Sequence, residues 1–462
     1  MSSESMEKII SLAKRRGFVF PSSEIYGGIG GFWDWGPYGV ELKNNIKQAW
    51  WRSMVWEHEN IVGVDAAIIV NPKVWQATKH TEKFADLLTD CKKCKLRFRA
   101  DHLIESNFSE EEGLAYLEDI KKINNALKKI KCPNCGGSFT EARSFNLMFK
   151  TNIGPVESKS STAYLRPETA QGIFTNFSLI KNSSRLKLPF GIAQIGKAFR
   201  NEITPGNFVF RSREFEQAEL EFFVDPESDK KEFERWKKAR LAWFKSFGIN
   251  PKNLRLRQHR KDELAHYAKE ATDVEYNFPF GWKELEGIAN RTDYDLKVHQ
   301  ELSGSDLSYF DEKTGKKFFP YVIEPSVGID RAALAFLCDA YTEEQAPTAA
   351  GEKELRVVLK LHKDIAPIQV AILPLSKRKD LSKEAKKIWK ELSTYWRAEY
   401  DETQSIGKRY RRQDEIGTPY CITIDFDTLK DKAVTIRNRD TMKQERIKIA
   451  KLTETLGRKF KQ

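Results

Sequence analysis

Between Val40 and Glu57 the apolar side chains Leu42, Ile46, Ala49 and Trp50 recur at three- and four-residue intervals, the spacing of one buried helical face. The apolar run Ala66 to Val70 follows and stops at Asn71 and Pro72, which predicts a strand ended by proline. Leu114, Leu117, Ile120, Ile123, Leu127 and Ile130 again keep helical spacing and predict one amphipathic helix. From Leu188 to Val224 the pattern shortens to strand-like runs, Phe190 to Ile195 and Glu219 to Val224. A polar loop containing Pro205 and Gly206 joins them, so a long antiparallel hairpin is expected.

Ala332 to Phe336 reads as helix, and Ala346 to Glu354 (APTAAGEKE) reads as a linker. Beyond it strand and helix alternate: Val370 to Leu373, a helix with Ala385, Ile388, Trp389, Leu392 and Trp396, then Cys421 to Ile424 and Val434 to Ile436. That alternation predicts an α/β domain of about a hundred residues.

A chain of 462 residues exceeds the size at which one core stops growing, so a large body with at least one further domain is expected. With 40% hydrophobic and 12% aromatic residues, the composition excludes an intrinsically disordered chain. Lys and Arg outnumber Asp and Glu by 78 to 66, a net +12 that favours a polyanionic partner without identifying one. The N-terminal MSSESMEKIISLAKRRG carries no apolar stretch of signal-peptide or membrane length, so a cytoplasmic protein without membrane association is expected.

Four of the six cysteines form Cys91-x-x-Cys94 and Cys132-x-x-Cys135. This is the spacing of two zinc knuckles, and four thiolates suit a tetrahedral, closed and therefore structural Zn²⁺ site. Cys338 and Cys421 stand in apolar surroundings typical of core positions.

Two segments carry the chemistry. In Phe199-Arg200-Asn201-Glu202 the arginine and glutamate are two apart, so on a strand both reach one ligand. The return segment Phe210-Arg211-Ser212-Arg213-Glu214-Phe215-Glu216-Gln217 adds cations for phosphate and an aromatic ring for a base. The second segment, Glu324-Pro325-Ser326-Val327-Gly328-Ile329-Asp330-Arg331, reads as a strand entering a helix with a further fixed cation.

In this order, with the helix and Pro72 ahead of them, these segments resemble motifs 1, 2 and 3 of the class II aminoacyl-tRNA synthetases, near residues 40–72, 190–224 and 321–337. Tyr26 to Gly39, Arg166 to Gly172 and Gly407 to Pro419 are similar to the homodimeric, glycine-specific branch of that family. The resemblance implies an α+β catalytic domain with an antiparallel sheet flanked by helices, over 1–90 and 141–345. It also implies a cysteine-bearing insertion over 91–140, a linker over 346–365 and a C-terminal α/β anticodon-binding domain over 366–462.

By the same resemblance Arg200, Glu202 and Arg331 are the catalytic residues, Arg200 on the ATP α-phosphate and Arg331 on the γ-phosphate. Asn201, Phe210, Arg211, Arg213, Leu285, Gly328, Ile329 and Asp330 complete the ATP site, with Phe215 stacked on adenine and Glu284 holding Mg²⁺. The glycine site draws on Glu168, Glu324 and Ser326 for the ammonium, with Glu219 on the same wall. Arg99, Phe215, Glu216, Gln217, Ala218 and Gly328 stand nearby. The implied partners are glycine, ATP and tRNA-Gly, and Pro72 is expected at a dimer interface. Lys408-Arg409-Tyr410-Arg411-Arg412 offers cations and an aromatic ring for the nucleic acid.

Overall fold

The computed structural model describes residues 3–117, 119–347 and 352–461. Its largest element is a seven-stranded sheet in the order Leu254–Gln258, Glu270–Phe278, Gly281–Thr292, Tyr321–Gly328, Glu214–Val224, Phe190–Phe199, Ile61–Gly63. All neighbours run antiparallel except the last pair. The expected hairpin is present and longer than its apolar pattern, pairing Glu214 with Phe199 at one end and Phe223 with Phe190 at the other.

Alternation along Glu214–Val224 divides the core in two. Ala218, Leu220, Phe222 and Val224 pack into the main core with Leu42, Ile46 and Trp50 of helix Pro37–Trp51, Phe233 and Trp236 of helix Asp229–Ser246, and the apolar face of helix Ile329–Ala340. Phe223 faces the other way, onto Phe174 and Phe177 of helix Ala170–Ser183 and Leu296 of helix Tyr294–Ser303. The second face also carries the cavity described below.

Four sequence expectations change. Ala66 to Val70 is not a strand: Ile69 makes one bridge, to Leu165, and the sheet edge is taken by Ile61–Gly63. An apolar run becomes a strand only where a neighbour offers its backbone, and Val64 N has already bonded Ala193 O there. Pro72 instead leads into the short helix Lys73–Ala77.

The expected linker is a hairpin, with Tyr341–Pro347 pairing antiparallel to Lys353–Leu359. Residues 348–351 lie outside the described residues. Arg356 fixes this hairpin from inside, bonding Asp414 (2.8 Å) and Arg439 O (2.6 Å).

The helix predicted over 114–130 is two helices, Glu110–Leu117 and Ile120–Lys129. Asp119 starts the second, its carboxylate accepting from Lys121 N (2.7 Å) and Lys122 N (2.9 Å). The side chain of Leu114 lies outside the described residues. The insertion is also larger than 91–140, because Ala85–Asp90 pairs with both Arg97–Arg99 and Arg143–Asn146 to close a three-stranded sheet.

The C-terminal sheet runs Ala398–Tyr400, Val370–Pro374, Tyr420–Ile424, Ala433–Asn438, Gln444–Lys448, parallel over the first three strands and antiparallel over the rest. Helix Lys379–Leu392 buries Ala385, Ile388 and Leu392 against it, while Trp396 follows the helix. Cys338 and Cys421 are buried, and burial pushes the Cys421 thiol up to about 12. No helix among the described residues is long and apolar enough to cross a membrane.

Candidate active site

A cavity of about 300 Å³ opens on the second face of the sheet. Strand periodicity selects its lining: Phe215, Gln217 and Glu219 reach it, whereas Glu216 and Ala218 belong to the opposite face. Glu216 there pairs with Lys43 (2.7 Å) and Lys47 (3.0 Å), and Ala218 is core. Both therefore leave the predicted amino-acid site.

Arg200 and Arg331, far apart in sequence, face this one cavity. Arg200 donates from Nε to Pro167 O (3.0 Å), and its guanidinium lies 5.4 Å from the Phe215 ring centre and 5.5 Å from that of Phe84. Arg331 donates from Nε to Phe210 O (3.1 Å), covers the Phe210 ring at 4.4 Å and pairs with Glu284 (3.2 Å). The Arg331 charge, with help from Arg200, holds the Glu284 carboxyl below its usual range.

Glu202, Phe210, Arg211, Glu284, Gly328 and Asp330 also line the cavity. Asn201, Arg213, Leu285 and Ile329 do not. Asn201 is tied through its backbone N to Leu147 O. Arg213 turns to Glu202 O (3.0 Å) and Gly30 O (2.5 Å), and Leu285 and Ile329 are core.

At the inner end Glu168, Glu219, Glu324 and Ser326 meet. Glu219 accepts from Thr169 N (2.9 Å), the Thr169 hydroxyl, Ser326 Oγ (2.7 Å) and Gln217 Nε2 (3.2 Å). Burial, with the charge of Glu168 beside it, raises its pKa. Burial likewise pushes Glu324 up to about 8, against the pull of Arg291. Glu168 goes the other way: His80 Nε2 at 3.5 Å and Arg291 outweigh burial and hold its carboxyl low.

Several side chains here escaped sequence reasoning. Arg291 is buried and pairs with Asp295 (2.8 Å) and Glu324 (2.9 Å), and its guanidinium lies 3.9 Å from the Tyr267 ring centre. Gln171 Nε2 donates to Glu168 (3.0 Å) and Asp295 (2.9 Å), while its Oε1 meets His299 Nε2 at 2.8 Å. Asp273, on the outer wall, meets His259 Nε2 at 2.8 Å. The available signal was a charge, Arg291, near the end of a strand whose second half carries mostly buried positions.

Arg99 is not part of the cavity wall. It pairs with Asp86 (2.9 Å) on the insertion sheet and with Asp101 in helix Ala100–Asn107, and against burial these carboxylates, with Glu202, raise its pKa. In the basic run, Arg409 is buried and serves structure, donating to the carbonyls of Pro374, Leu375 and Asp401. Arg411 and Arg412 pair with Glu354 and Asp401, and Lys408 stays exposed.

The four thiols of Cys91, Cys94, Cys132 and Cys135 lie within 4.8 Å of one another. Their Sγ atoms approach to 3.5 Å (Cys91–Cys135) and 3.8 Å (Cys94–Cys132). A tetrahedron of metal–sulfur bonds of about 2.3 Å has edges of about 3.8 Å, so the cluster fits a metal of that size.

Two family models match the chain: "tRNA synthetase class II core domain (G, H, P, S and T)" over residues 149–341, and "Anticodon binding domain" over 369–459. The glycine–tRNA ligase of Thermobifida fusca is 55% identical over 99% of this chain and 98% of its own length. Those of Acetivibrio thermocellus and Treponema denticola are 56% and 53% identical, each over 99% of this chain and over 99% and 97% of their own lengths.

Proposed function

The chain belongs to the glycine–tRNA ligases, a class II synthetase family, and from that premise we propose that it activates glycine with ATP and joins the glycyl group to the 3′ end of tRNA-Gly. One observation carries this reading at the level of chemistry: two arginines from distant segments face the same cavity as the buried Glu219 and Glu324 and the partly buried Glu168. The first feature suits a polyphosphate and the second an ammonium.

Activation requires the amino-acid carboxylate to attack the ATP α-phosphate in line, so positioning and charge neutralisation supply most of the catalysis. Arg200 holds the α-phosphate and Arg331 the γ-phosphate, the latter steadied by Phe210 and Glu284. Phe215 supports the adenine. Glu168, Glu219 and Glu324, with Ser326, grip the ammonium.

Glu284, kept ionised by Arg331, is the carboxylate suited to Mg²⁺, which when bound neutralises phosphate charge. The four-cysteine cluster takes structural Zn²⁺. We further propose a cytoplasmic homodimer with Pro72 at the contact. Its catalytic domain comprises 1–84 and 147–345 around an insertion closed by the sheet that joins Ala85–Asp90 to Arg143–Asn146, and its anticodon domain starts near 366, where the matched model begins at 369. A monomeric mass in solution would contradict the dimer.

ATP–pyrophosphate exchange with each amino acid in turn tests the activity. Exchange with glycine alone is expected. Exchange with a different amino acid, or none at all, overturns the assignment.

A further inference from the structure

Beneath the inner end of the cavity lies Glu221, which the reaction described above does not use. The register that pairs Glu219 with Ser326 and Phe222 with Ile323 places Glu221 across from Glu324 on the neighbouring strand. Glu221 is fully buried, and neither of its carboxyl oxygens has a hydrogen-bond partner among the described residues.

The surroundings assign the missing charge by their donors. Glu219 accepts four hydrogen bonds, Glu168 is met by Gln171 and His80, and Glu324 is met by Arg291. From helix Tyr294–Ser303, Asp295 also faces the group and is bound by Arg291, while His299 is engaged with Gln171. Tyr267 covers Arg291 from the loop side. Among the described residues five carboxyls thus surround one guanidinium, and Glu221 alone of the five has no donor there. A bare buried carboxylate facing another is too costly to persist, so such a pair keeps one proton between its members.

We propose that Glu221 and Glu324 share a proton in the free enzyme, and that the ammonium of glycine, docking on Glu324, expels it to solvent. The ammonium takes the place of the proton as the positive charge between the two groups. Burial and the neighbouring carboxyls raise the proton affinity of both, which supports the assignment. The proposal rests on the reading that this cavity receives glycine.

The sign follows from linkage. Binding that releases a proton strengthens as pH rises, by up to about tenfold in Kd per pH unit, until the free pair has lost its proton. Gln at 221 cannot share a proton, so Glu324 would already be ionised and ready for the ammonium.

Calorimetric titration of the full-length protein with glycine, in two buffers of different ionisation enthalpy at neutral pH, reads the released proton directly. Release approaching one proton is expected for the natural chain. Glu221→Gln should bring it close to zero, flatten the pH dependence and preserve or improve affinity at acid pH. Buffer-independent heats in the natural chain overturn the proposal, and so does undiminished release in Glu221→Gln. Absence of any glycine binding overturns the functional reading as well, which separates the two failures. Should Glu221→Gln not fold, the infrared carbonyl band of a protonated carboxyl in the natural chain decides: loss of that band on glycine addition supports the shared proton, and an unchanged spectrum overturns it.

Discussion

Lys43 Nζ lies 2.8 Å from Asp330 Oδ1 and 2.7 Å from Glu216 Oε2, in a position almost closed to solvent. Asp330 Oδ2 in turn accepts from Glu216 N (2.7 Å). One buried ammonium thereby ties helix Pro37–Trp51 to the strand carrying Phe215 and to the helix carrying Arg331.

Lys43→Met removes the cation and leaves two carboxylates buried, a change that costs about 3–5 kcal/mol. A clearly lowered melting temperature and weakened pyrophosphate exchange are expected. The partners also set a pH signature. Although burial pushes the Glu216 carboxyl up, Lys43 and Lys47 hold it below its ordinary value, so the pair's stabilisation is complete above that value and fades as pH falls through the folded one. Thermal melts should show the gap between variant and natural chain widest near neutrality and narrowing in acid.

Arg200→Ala and Arg331→Ala should each lower kcat/KM for glycine-dependent pyrophosphate exchange by about 100-fold or more, the scale of losing one preorganised charge donor. Arg331→Lys should recover little, because an ammonium cannot both cover the Phe210 ring and bond the Phe210 carbonyl as the guanidinium does. Steady-state kinetics of the three variants check this.

Gly196 has no space for a side chain, since a Cβ there would overlap Arg166 Nη2. Arg166 ties the segment that leads to Glu168 to its neighbours by donating to Ala66 O and Lys197 O, each at 2.7 Å. Gly196→Ala should displace Arg166 and reduce both melting temperature and exchange. Adding Arg166→Ala removes the clash without restoring those bonds, so the double variant should stay impaired, with effects well short of additive.

Metal analysis of the purified protein should find one Zn²⁺ per chain. Cys132→Ser or a strong chelator should loosen 85–146, read as faster amide exchange there, while the C-terminal domain keeps its protection. The reason is that Cys91 and Cys132 belong to the same small core as Leu103, Ile104, Ile123 and Leu127. Equal protection with and without metal would remove zinc from the account.

Wherever a physical rule acts locally, the sequence was enough. Helical spacing located Leu42, Ile46 and Trp50, short strand-like runs about the Pro205–Gly206 loop located the long hairpin, and two Cys-x-x-Cys pairs located the four-thiol cluster. The motif residues Arg200, Phe215, Glu324 and Arg331 were legible because their types and order are themselves the signal.

What depends on a partner distant in the chain was decided only on folding. Pattern could not say that Ile61–Gly63, rather than Ala66 to Val70, takes the sheet edge, or that the expected linker pairs with Tyr341–Pro347. Nor could it turn Glu216 onto Lys43 and away from the cavity, bury Arg291 among carboxyls, or set Glu221 across from Glu324. A side chain's charge is written in the sequence, but its protonation and its partners follow from which strand lies beside it and how much water remains, and both are properties of the assembled sheet.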